Sequence, residues 1–346
     1  ESTGMEASTI HRLIEYQPFD NEATHKDASD PLDADIIITD EFSMVDTKLF
    51  AMFLTAIKNG ALILIVGDPE QLPSVGPGNL LHDLINSGKI ESYSLDTVYR
   101  QKDESSILVN AENIKNGITE LKTGLDFEIH NFETMEEVKE KIKEITREHY
   151  DHDDPYSMQV LTSTTTGPIG VVSLNNIIQE IVNTKENGLK RKDYSYKKGD
   201  KVMMLRNNYD KGYFNGDIGT ITNIDEIGIN AHINGEDFRI ERTLLQDISL
   251  SYAMTIHKSQ GSEFSTVVVV LPNRPRILLK RNLLYTAVTR AKKNVILITV
   301  EDSLETAINN TSIDKRKTRI EPLLRNNKPT LINRITDQRK YITLSM

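Results

Sequence analysis

Residues 36–44 read IIITDEFSM, three isoleucines and a threonine followed by two acids, a phenylalanine, a serine and a methionine. β-Branched apolar sequence of this kind forms a strand, and a strand without polar alternation is expected to be covered on both faces, as in parallel α/β sheets. Asp40 and Glu41 then stand where the strand surfaces, at the C-terminal edge where such sheets hold their ligands. Taken alone, an acid pair is more often a helix cap than a metal site. Downstream, VDTKLFAMFLTAIKNG (45–60) carries Leu49, Phe50, Phe53, Leu54 and Ile57 at helical spacing, with Asp46 as N-cap and Gly60 beyond the C-terminus. ALILIVGD (61–68) is a second apolar strand. Strand, helix and strand at this spacing predict a βαβ unit with parallel strands.

The second strand runs into GDPEQLPSVGPG (67–78), whose three prolines and three glycines make a stiff, closely packed loop beside the acids. Gln71 in this loop is an uncharged group able to bond both a phosphate oxygen and a water, which a mere turn does not need. Short helices are expected at 79–88 and 105–117, an acidic helix at 133–149, a buried strand at 158–164 and a helix at 170–183. From 190 to 249 the pattern changes to short alternating runs broken by Gly-Asp and Asn-Gly pairs, the mark of a small antiparallel barrel. Strand TVVVVL (266–271), helix RNLLYTAVTRAKK (281–293) and strand NVILITV (294–300) follow, so the barrel is an insertion into a second α/β domain.

With 346 residues the chain has room for two domains and a small third. It contains no cysteine, which excludes disulfides, thiolate metal sites and thiol nucleophiles and fits a reducing compartment. No apolar run approaches the ~20 residues of a membrane span. The net charge of −10 is unevenly placed: residues 1–158 hold 13 Lys+Arg against 32 Asp+Glu, and residues 159–346 hold 28 against 19. Between Phe264 and Val300 stand seven basic residues and no acid. That stretch is either the footprint of a polyanion or a solvated face. His257 has no companion at metal-ligand spacing, which argues against a zinc site.

DEFSM, GDPEQLPSVGPG, TVYRQ (97–101), YAMTIHKSQGSEF (252–264) and LLYTAVTRAKK (283–293) are similar, in this order, to the second to sixth motifs of superfamily 1 helicases. With STGMEASTIHRLIEY (2–16), the chain resembles the RecD/TraA branch, above all the long bacterial RecD-like helicases, over essentially its whole length. The resemblance implies an α/β fold of two RecA-like parallel-sheet domains, the first truncated at its N-terminus, with an inserted SH3-like β-barrel. Residues 1–125 would be the distal part of the first domain, 126–189 and 250–346 the second, and 190–249 the barrel. Residues 15–31 would be a hairpin that splits the duplex, or an ordinary loop.

The resemblance also implies an ATP-dependent DNA helicase or translocase, moving 5′ to 3′, with ATP and Mg²⁺ as cofactors. Its partners would be single-stranded DNA and single-strand/double-strand junctions, and it would act as a monomer in the bacterial cytoplasm, with the nucleoid and no membrane. By the motif in which each falls, Asp40 resembles the Mg²⁺ ligand, Glu41 the catalytic base and Gln71 the γ-phosphate sensor. Arg100 and Arg290 resemble the arginines that reach the γ-phosphate, Gly261 allows close backbone approach, and Glu263 resembles the ribose contact. Thr9, His11, Thr162, Ser163, Thr255, His257, Lys258 and Ser259 resemble DNA-backbone contacts, although a Ser/Thr pair after a strand also reads as a helix cap. Tyr209, Tyr213 and Phe214 either stack bases or fill the barrel.

The family's phosphate loop, G-x-x-x-x-G-K-[ST], does not occur; Gly88-Lys89, the one Gly-Lys pair, is followed by Ile90. The expectation is a chain that starts after that loop, lacks a central strand of its first sheet, and is inactive as an ATPase without the upstream segment. Two other readings share the motifs. One is the RecD subunit of an exonuclease complex, which needs partner subunits. The other is a non-catalytic DNA-binding clamp, against which Asp40, Glu41, Gln71, Arg100 and Arg290 together argue.

Overall fold

In the computed structural model, which describes residues 7–16, 25–95, 105–185, 188–191, 193–208, 211–312, 316, 318–326 and the backbone of 341–345, the chain forms two units. One comprises Glu1–Gln101 with Ser312–Met346, the other Lys102–Thr311.

In the first unit, α1 (Ile10–Leu13) is followed by β1 (Ile36–Thr39), α2 (Thr47–Ala56), β2 (Leu62–Val66), α3 (Leu80–Asn86) and β3 (Glu91–Ser94). β1 and β2 pair in parallel, Ile36 opposite Leu62 and Thr39 opposite Ile65. Burial along β1 alternates, however. Ile37 joins Phe42, Phe53, Ile63 and Leu81 in a core, while Ile36 and Ile38 are each 61% exposed. The expectation of a strand covered on both faces is therefore corrected: β1 lies at the edge of its sheet and is packed on one face only among the described residues. Asp46 caps α2 as expected, its Oδ1 accepting from the amide of Leu49 at 2.8 Å. The helix stops at Ala56, short of Gly60, because Ile57 turns into an extended conformation and bridges Leu32, whose amide donates to Ala56 O at 2.7 Å.

The second unit begins with α4 (Ser106–Asn116), β4 (Phe127–Phe132), α5 (Met135–His149), β5 (Met158–Thr162) and α6 (Val171–Val182). Thr134 and Glu137 close a capping box at the start of α5. A hairpin, β6 (Gly188–Arg191) with β7 (Tyr194–Lys197), leads into β8 (Lys201–Met204), β9 (Ile218–Ile224), β10 (Gly228–Ile233), β11 (Glu236–Glu241) and β12 (Ile248–Leu250). The last five form an antiparallel sheet in the order β11-β10-β9-β8-β12. Tyr213 belongs to its core: it is buried, edge-on to Phe238 at 5.8 Å, with its hydroxyl accepting from Asn208 Nδ2. Phe214 is half-buried, and Tyr209 lies outside the described residues.

β13 (Ala253–Thr255), β14 (Phe264–Leu271), α7 (Arg281–Val288), β15 (Ala291–Val300) and α8 (Ser303–Asn309) complete the unit. Its parallel sheet has the order β13-β5-β14-β15-β4. The expected helix 281–293 ends at Val288, since Ala291 pairs with Phe264 and draws the chain into β15. The expected boundary near 125 also moves. α4 packs on α7, and Gly117 at φ 76 ends α4 with no side chain in the way of Arg281, whose Nη1 donates to Lys115 O at 3.4 Å. A cation over the final carbonyls of a helix is favourable, which ties residues 102–125 to the second unit.

The chain then returns to the first unit, where the expected boundaries had kept 312–346 in the second. α9 (Ile320–Arg325) packs on α3, burying Leu324 in the first core, and Thr318 Oγ1 donates to Asp83 Oδ2 at 2.6 Å. β16 (Tyr341–Ser345) runs parallel between β2 and β3. The first sheet is thus not short of a central strand. The C-terminal strand takes that place, where an open slot would leave two rows of backbone donors and acceptors unpaired. Among the described residues no helix is long and apolar enough to cross a membrane.

Candidate functional site

β1 ends in a sharp turn. Asp40 is exposed, and its Oδ1 accepts from the Glu41 amide at 2.7 Å. Glu41 takes φ 50 and ψ 41, the left-handed region, which a side chain with a Cβ enters only at a cost. This reverses the chain into the short helix Phe42–Met44. Gly67 closes the neighbouring β2 onto that turn: a Cβ there would lie 3.0 Å from Phe42 N and 3.0 Å from Leu81 Cδ2, so only glycine permits the approach.

The loop that follows is held from inside. Asp68 is buried, its Oδ1 accepting from the Glu70 amide at 2.9 Å and its Oδ2 from Gln71 Nε2 at 3.5 Å. Gln71 is 8% exposed, and its Oε1 has no hydrogen-bond partner among the described residues; the same holds for the buried Oγ of Ser43. A dry, unpaired buried polar atom costs about 1–3 kcal/mol, and its usual explanation is an absent water, ion or ligand. Ser43 and Asp68 had not been singled out from the sequence, although both stand inside motifs that had.

Among the described residues no three His, Cys, Asp or Glu side chains converge. What the turn offers is the exposed carboxylate of Asp40, with the buried Ser43 hydroxyl three residues on and the Gln71 amide oxygen in the loop that follows the neighbouring strand. Hard, sparse donors of this kind suit Mg²⁺, which binds one or two carboxylates and draws its remaining ligands from water and phosphates. Thr9 and His11 are exposed near the start of this unit, Thr9 Oγ1 accepting from the Arg12 amide as the N-cap of α1. Arg100 and residues 17–24 of the 15–31 segment lie outside the described residues.

In the second unit two of the quoted stretches meet. β13 pairs with β5 so that Thr255 stands opposite Thr162, both at the C-terminal edge of the sheet. Thr162 itself is buried, its hydroxyl donating to Ile169 O at 3.2 Å, and Ser259 is buried with its hydroxyl on Ile256 O at 2.8 Å. Those two hydroxyls fasten the turns. Ser163 is buried with its Oγ unpartnered among the described residues, Thr255 is half-buried, and His257 is exposed. Lys258 Nζ reaches Asn215 Oδ1 at 2.8 Å, joining this edge to the barrel. A cavity of about 240 Å³, lined among others by Thr165, Tyr194, Met254, Thr255 and Lys258, opens beside it. Desolvation pushes the pKa of the half-buried Lys258 down; around His257, exposed as a residue, partial desolvation of the ring acts in the same direction and the charge of Lys280 adds to it.

Arg290 stands in the turn between α7 and β15 and is only 5% exposed. Its Nη1 donates to Ser262 O at 3.4 Å, and its carbonyl accepts from the Phe264 amide. Glu263 pairs with Lys292 at 3.4 Å, and Gly261, at φ 77, has open space where a Cβ would be. Arg290, Glu263 and Gly261 are thus gathered around one turn, 261–264.

Family models match the chain in three places: an AAA domain over residues 1–139, the SH3 domain of ATP-dependent RecD-like DNA helicases over 174–245, and a UvrD-like helicase C-terminal domain over 250–298. The chain is 32% identical over 295 residues to the ATP-dependent RecD2 DNA helicase of Deinococcus radiodurans, covering 84% of this chain and 40% of that protein. It is 30% identical over 321 residues to the RecBCD enzyme subunit RecD of Mycolicibacterium smegmatis, covering 88% of this chain and 57% of that one. It therefore spans roughly half the length of these relatives. In fold it is similar to the Pif1 helicase from Bacteroides in complex with ADP-AlF3 and ssDNA, with a TM-score of 0.56 at 17% identity over 92% of this chain and 84% of the other.

Proposed function

The chain belongs to the RecD-like helicases, and we propose that it carries the water-activating and DNA-gripping groups of an ATP-driven motor that moves 5′ to 3′ along single-stranded DNA. Its fold is two RecA-like parallel-sheet domains with an SH3-like barrel inserted in the second. The observation that carries the reading is the turn at the end of β1, where a left-handed Glu41 stands between an exposed Asp40 and a loop holding a buried Gln71 with an orphaned oxygen.

In this reading Glu41 accepts the proton of the attacking water, Asp40 offers its carboxylate to Mg²⁺, and the Gln71 amide bonds a phosphate oxygen. Mg²⁺, bound with the nucleotide, neutralises charge that develops on the phosphate oxygens. Arg290 contributes a permanent planar cation suited to phosphate, as Arg100 does by its place in the sequence. Gly261 and Glu263 serve the nucleotide. Thr9, His11, Ser163, Thr255, His257 and Lys258 line the DNA path, with Thr162 and Ser259 holding the turns that carry it. The sequence contains no phosphate-cradling loop, so turnover is assigned to a protein in which such a loop is supplied, and these residues without one are expected to release no phosphate.

The test is Glu41→Gln, which keeps the size of the side chain and removes the base. In the full-length protein DNA-stimulated phosphate release should fall by roughly 10²- to 10⁴-fold, the usual share of a general base, with nucleotide binding retained. Undiminished turnover would remove Glu41 as the base, whereas no DNA-stimulated turnover by the unsubstituted full-length protein would leave the DNA-binding clamp. A second reading, a subunit of an exonuclease complex, is favoured by the likeness to the RecD subunit of RecBCD. Co-purification of stoichiometric partner subunits from cell extract would select it over a motor acting alone.

A further inference from the structure

The loop that carries Gln71 is gripped by a residue 242 positions away from it in the chain. Arg316 Nη1 donates to three main-chain carbonyls, Ser74 O at 2.8 Å, Gly76 O at 3.1 Å and Gly78 O at 2.9 Å. Three carbonyl oxygens around one point make a concentration of negative dipole ends that a permanent cation satisfies and a neutral donor does not. On the other side, Thr47 at the start of α2 donates to Pro77 O from both its amide and its hydroxyl, at 3.1 Å each. The far arm of the loop, 74–78, is thus held between α2 and Arg316.

The near arm transmits that grip to Gln71. Gln71, Leu72, Pro73 and Ser74 are all buried, and Pro73 fixes its own φ, so the four residues from Gln71 to Ser74 have little freedom to move independently. Beyond them the chain surfaces, Val75 at 89% exposure and Pro77 exposed as well. Gln71 meanwhile keeps its Oε1 buried and without a hydrogen-bond partner among the described residues. An amide that is to meet a ligand through that oxygen is of use only if the loop carrying it is held in place. Asp68 braces it from the N-terminal side through the Gln71 amide and side chain. Arg316 is the corresponding brace on the C-terminal side.

From this geometry we infer that Arg316 is a positioning residue for Gln71: it fixes the 67–78 loop so that the Gln71 amide is already in place when the nucleotide arrives. The inference rests on the reading that Gln71 bonds a phosphate oxygen during turnover. Arg316 acts through the loop, by its bonds to the carbonyls of Ser74, Gly76 and Gly78. Its segment also anchors to α3, through Thr318 on Asp83 and through Arg325 Nη2 on Asn86 O at 2.6 Å, so the segment stays in place when the guanidinium is removed and the loop keeps its hold on Thr47.

The experiment compares Arg316→Ala, Gln71→Ala and the double variant in the full-length protein, with DNA-stimulated turnover and KM for ATP measured per nucleotide-binding site. Arg316→Ala should lower kcat roughly 10- to 100-fold, the scale of a catalytic group displaced by about 1 Å, with little change in KM. Arg316→Lys should recover part of the loss, because an ammonium can donate to three carbonyls on a shorter stem. The double variant should be no slower than Gln71→Ala alone, since both substitutions remove one interaction. Normal kcat in Arg316→Ala beside a disabled Gln71→Ala overturns the inference and spares the reading of Gln71. Multiplying losses in the double variant overturn it equally, as expected of a purely structural role. Full turnover by Gln71→Ala would overturn the reading and the inference together. Should Arg316→Ala fail to fold, Arg316→Lys, alone and combined with Gln71→Ala, carries the same comparison.

Discussion

Glu41 occupies a conformation in which an L-residue gives up about 1–2 kcal/mol relative to the right-handed region. Glycine would remove that strain while adding about 0.5–1 kcal/mol of chain entropy to be lost on folding. The two effects nearly cancel. Glu41→Gly is therefore expected to melt within a few degrees of the parent protein, or slightly above it, while losing DNA-stimulated phosphate release. Calorimetry and a turnover assay on the same preparation check this, and a large fall in melting temperature would mean that the side chain holds the fold together. The contrast within the site is instructive. Asp40, Glu41 and Gln71 drew attention because DEFSM and GDPEQLPSVGPG stand at the ends of adjacent strands, where the second stretch gives the first a meaning that an acid pair alone does not have. Ser43 looked like an ordinary small residue, and its burial beside Gly67 appears only once β1 and β2 are side by side.

β8 and β5 meet at a buried cation. Lys201 is fully buried, with Nζ on Gln159 Oε1 at 3.0 Å and Met158 O at 3.3 Å, and desolvation pushes its pKa down to about 7 despite the attraction of Asp154. In the unfolded chain the same group titrates at its ordinary lysine value, so between about pH 7 and that value the unfolded state binds more protons than the folded one. Stability then rises with pH through this window and levels off below about pH 7. Melting temperature is expected to be higher at pH 9 than at pH 7, and Lys201→Met should flatten this dependence. A decrease from pH 7 to pH 9 that survives in Lys201→Met would show that other groups dominate. The barrel itself was visible in the alternating runs and turn pairs of 190–249. Its fastening to the α/β sheet was not, because Lys201 in KKGDKVMM looks like any solvated lysine until β5 covers it.

The opposite charges of the two halves of the chain suggest a polyanion partner for the second, yet part of its basic stretch is used internally. Arg276 pairs with Asp302 at 2.8 Å, Arg281 Nε donates to Ile308 O at 2.7 Å, and Lys292 pairs with Glu263. Arg290 is buried and assigned to the nucleotide. Arg274, Lys280, Lys293 and Lys258 are left for DNA, and His257, whose pKa is pushed down by desolvation and by Lys280, is not counted among them. Each phosphate neutralised on a single strand contributes about 0.7 to the slope of log affinity against log salt. A slope of roughly 3 is expected in a salt titration of single-stranded DNA binding, rather than the roughly 5 that all seven cations of 264–300 would produce. Salt-independent binding would sink the phosphate contacts altogether.

Sequence periodicity records what each segment must bury, and on that basis the parallel α/β pattern, the inserted barrel and the helices capped by Asp46 and Thr134 were all readable. Local windows carry no record of which distant surface answers that demand. Hence β1 proved covered on one face only, α2 ended where Ile57 found Leu32, α4 went with α7 because Gly117 admits Arg281, and β16 entered between β2 and β3. The same limit governs the site. The motifs that hold Asp40, Glu41, Gln71 and Arg290 are written in short contiguous stretches, whereas the hydroxyls already spent inside the fold, at Thr162 and Ser259, and the clamp of Arg316 on Ser74, Gly76 and Gly78 exist only after packing has closed gaps of up to 242 residues. A hydrogen bond needs its partners within about 3.5 Å, and distance in space is the one quantity that order along the chain does not contain.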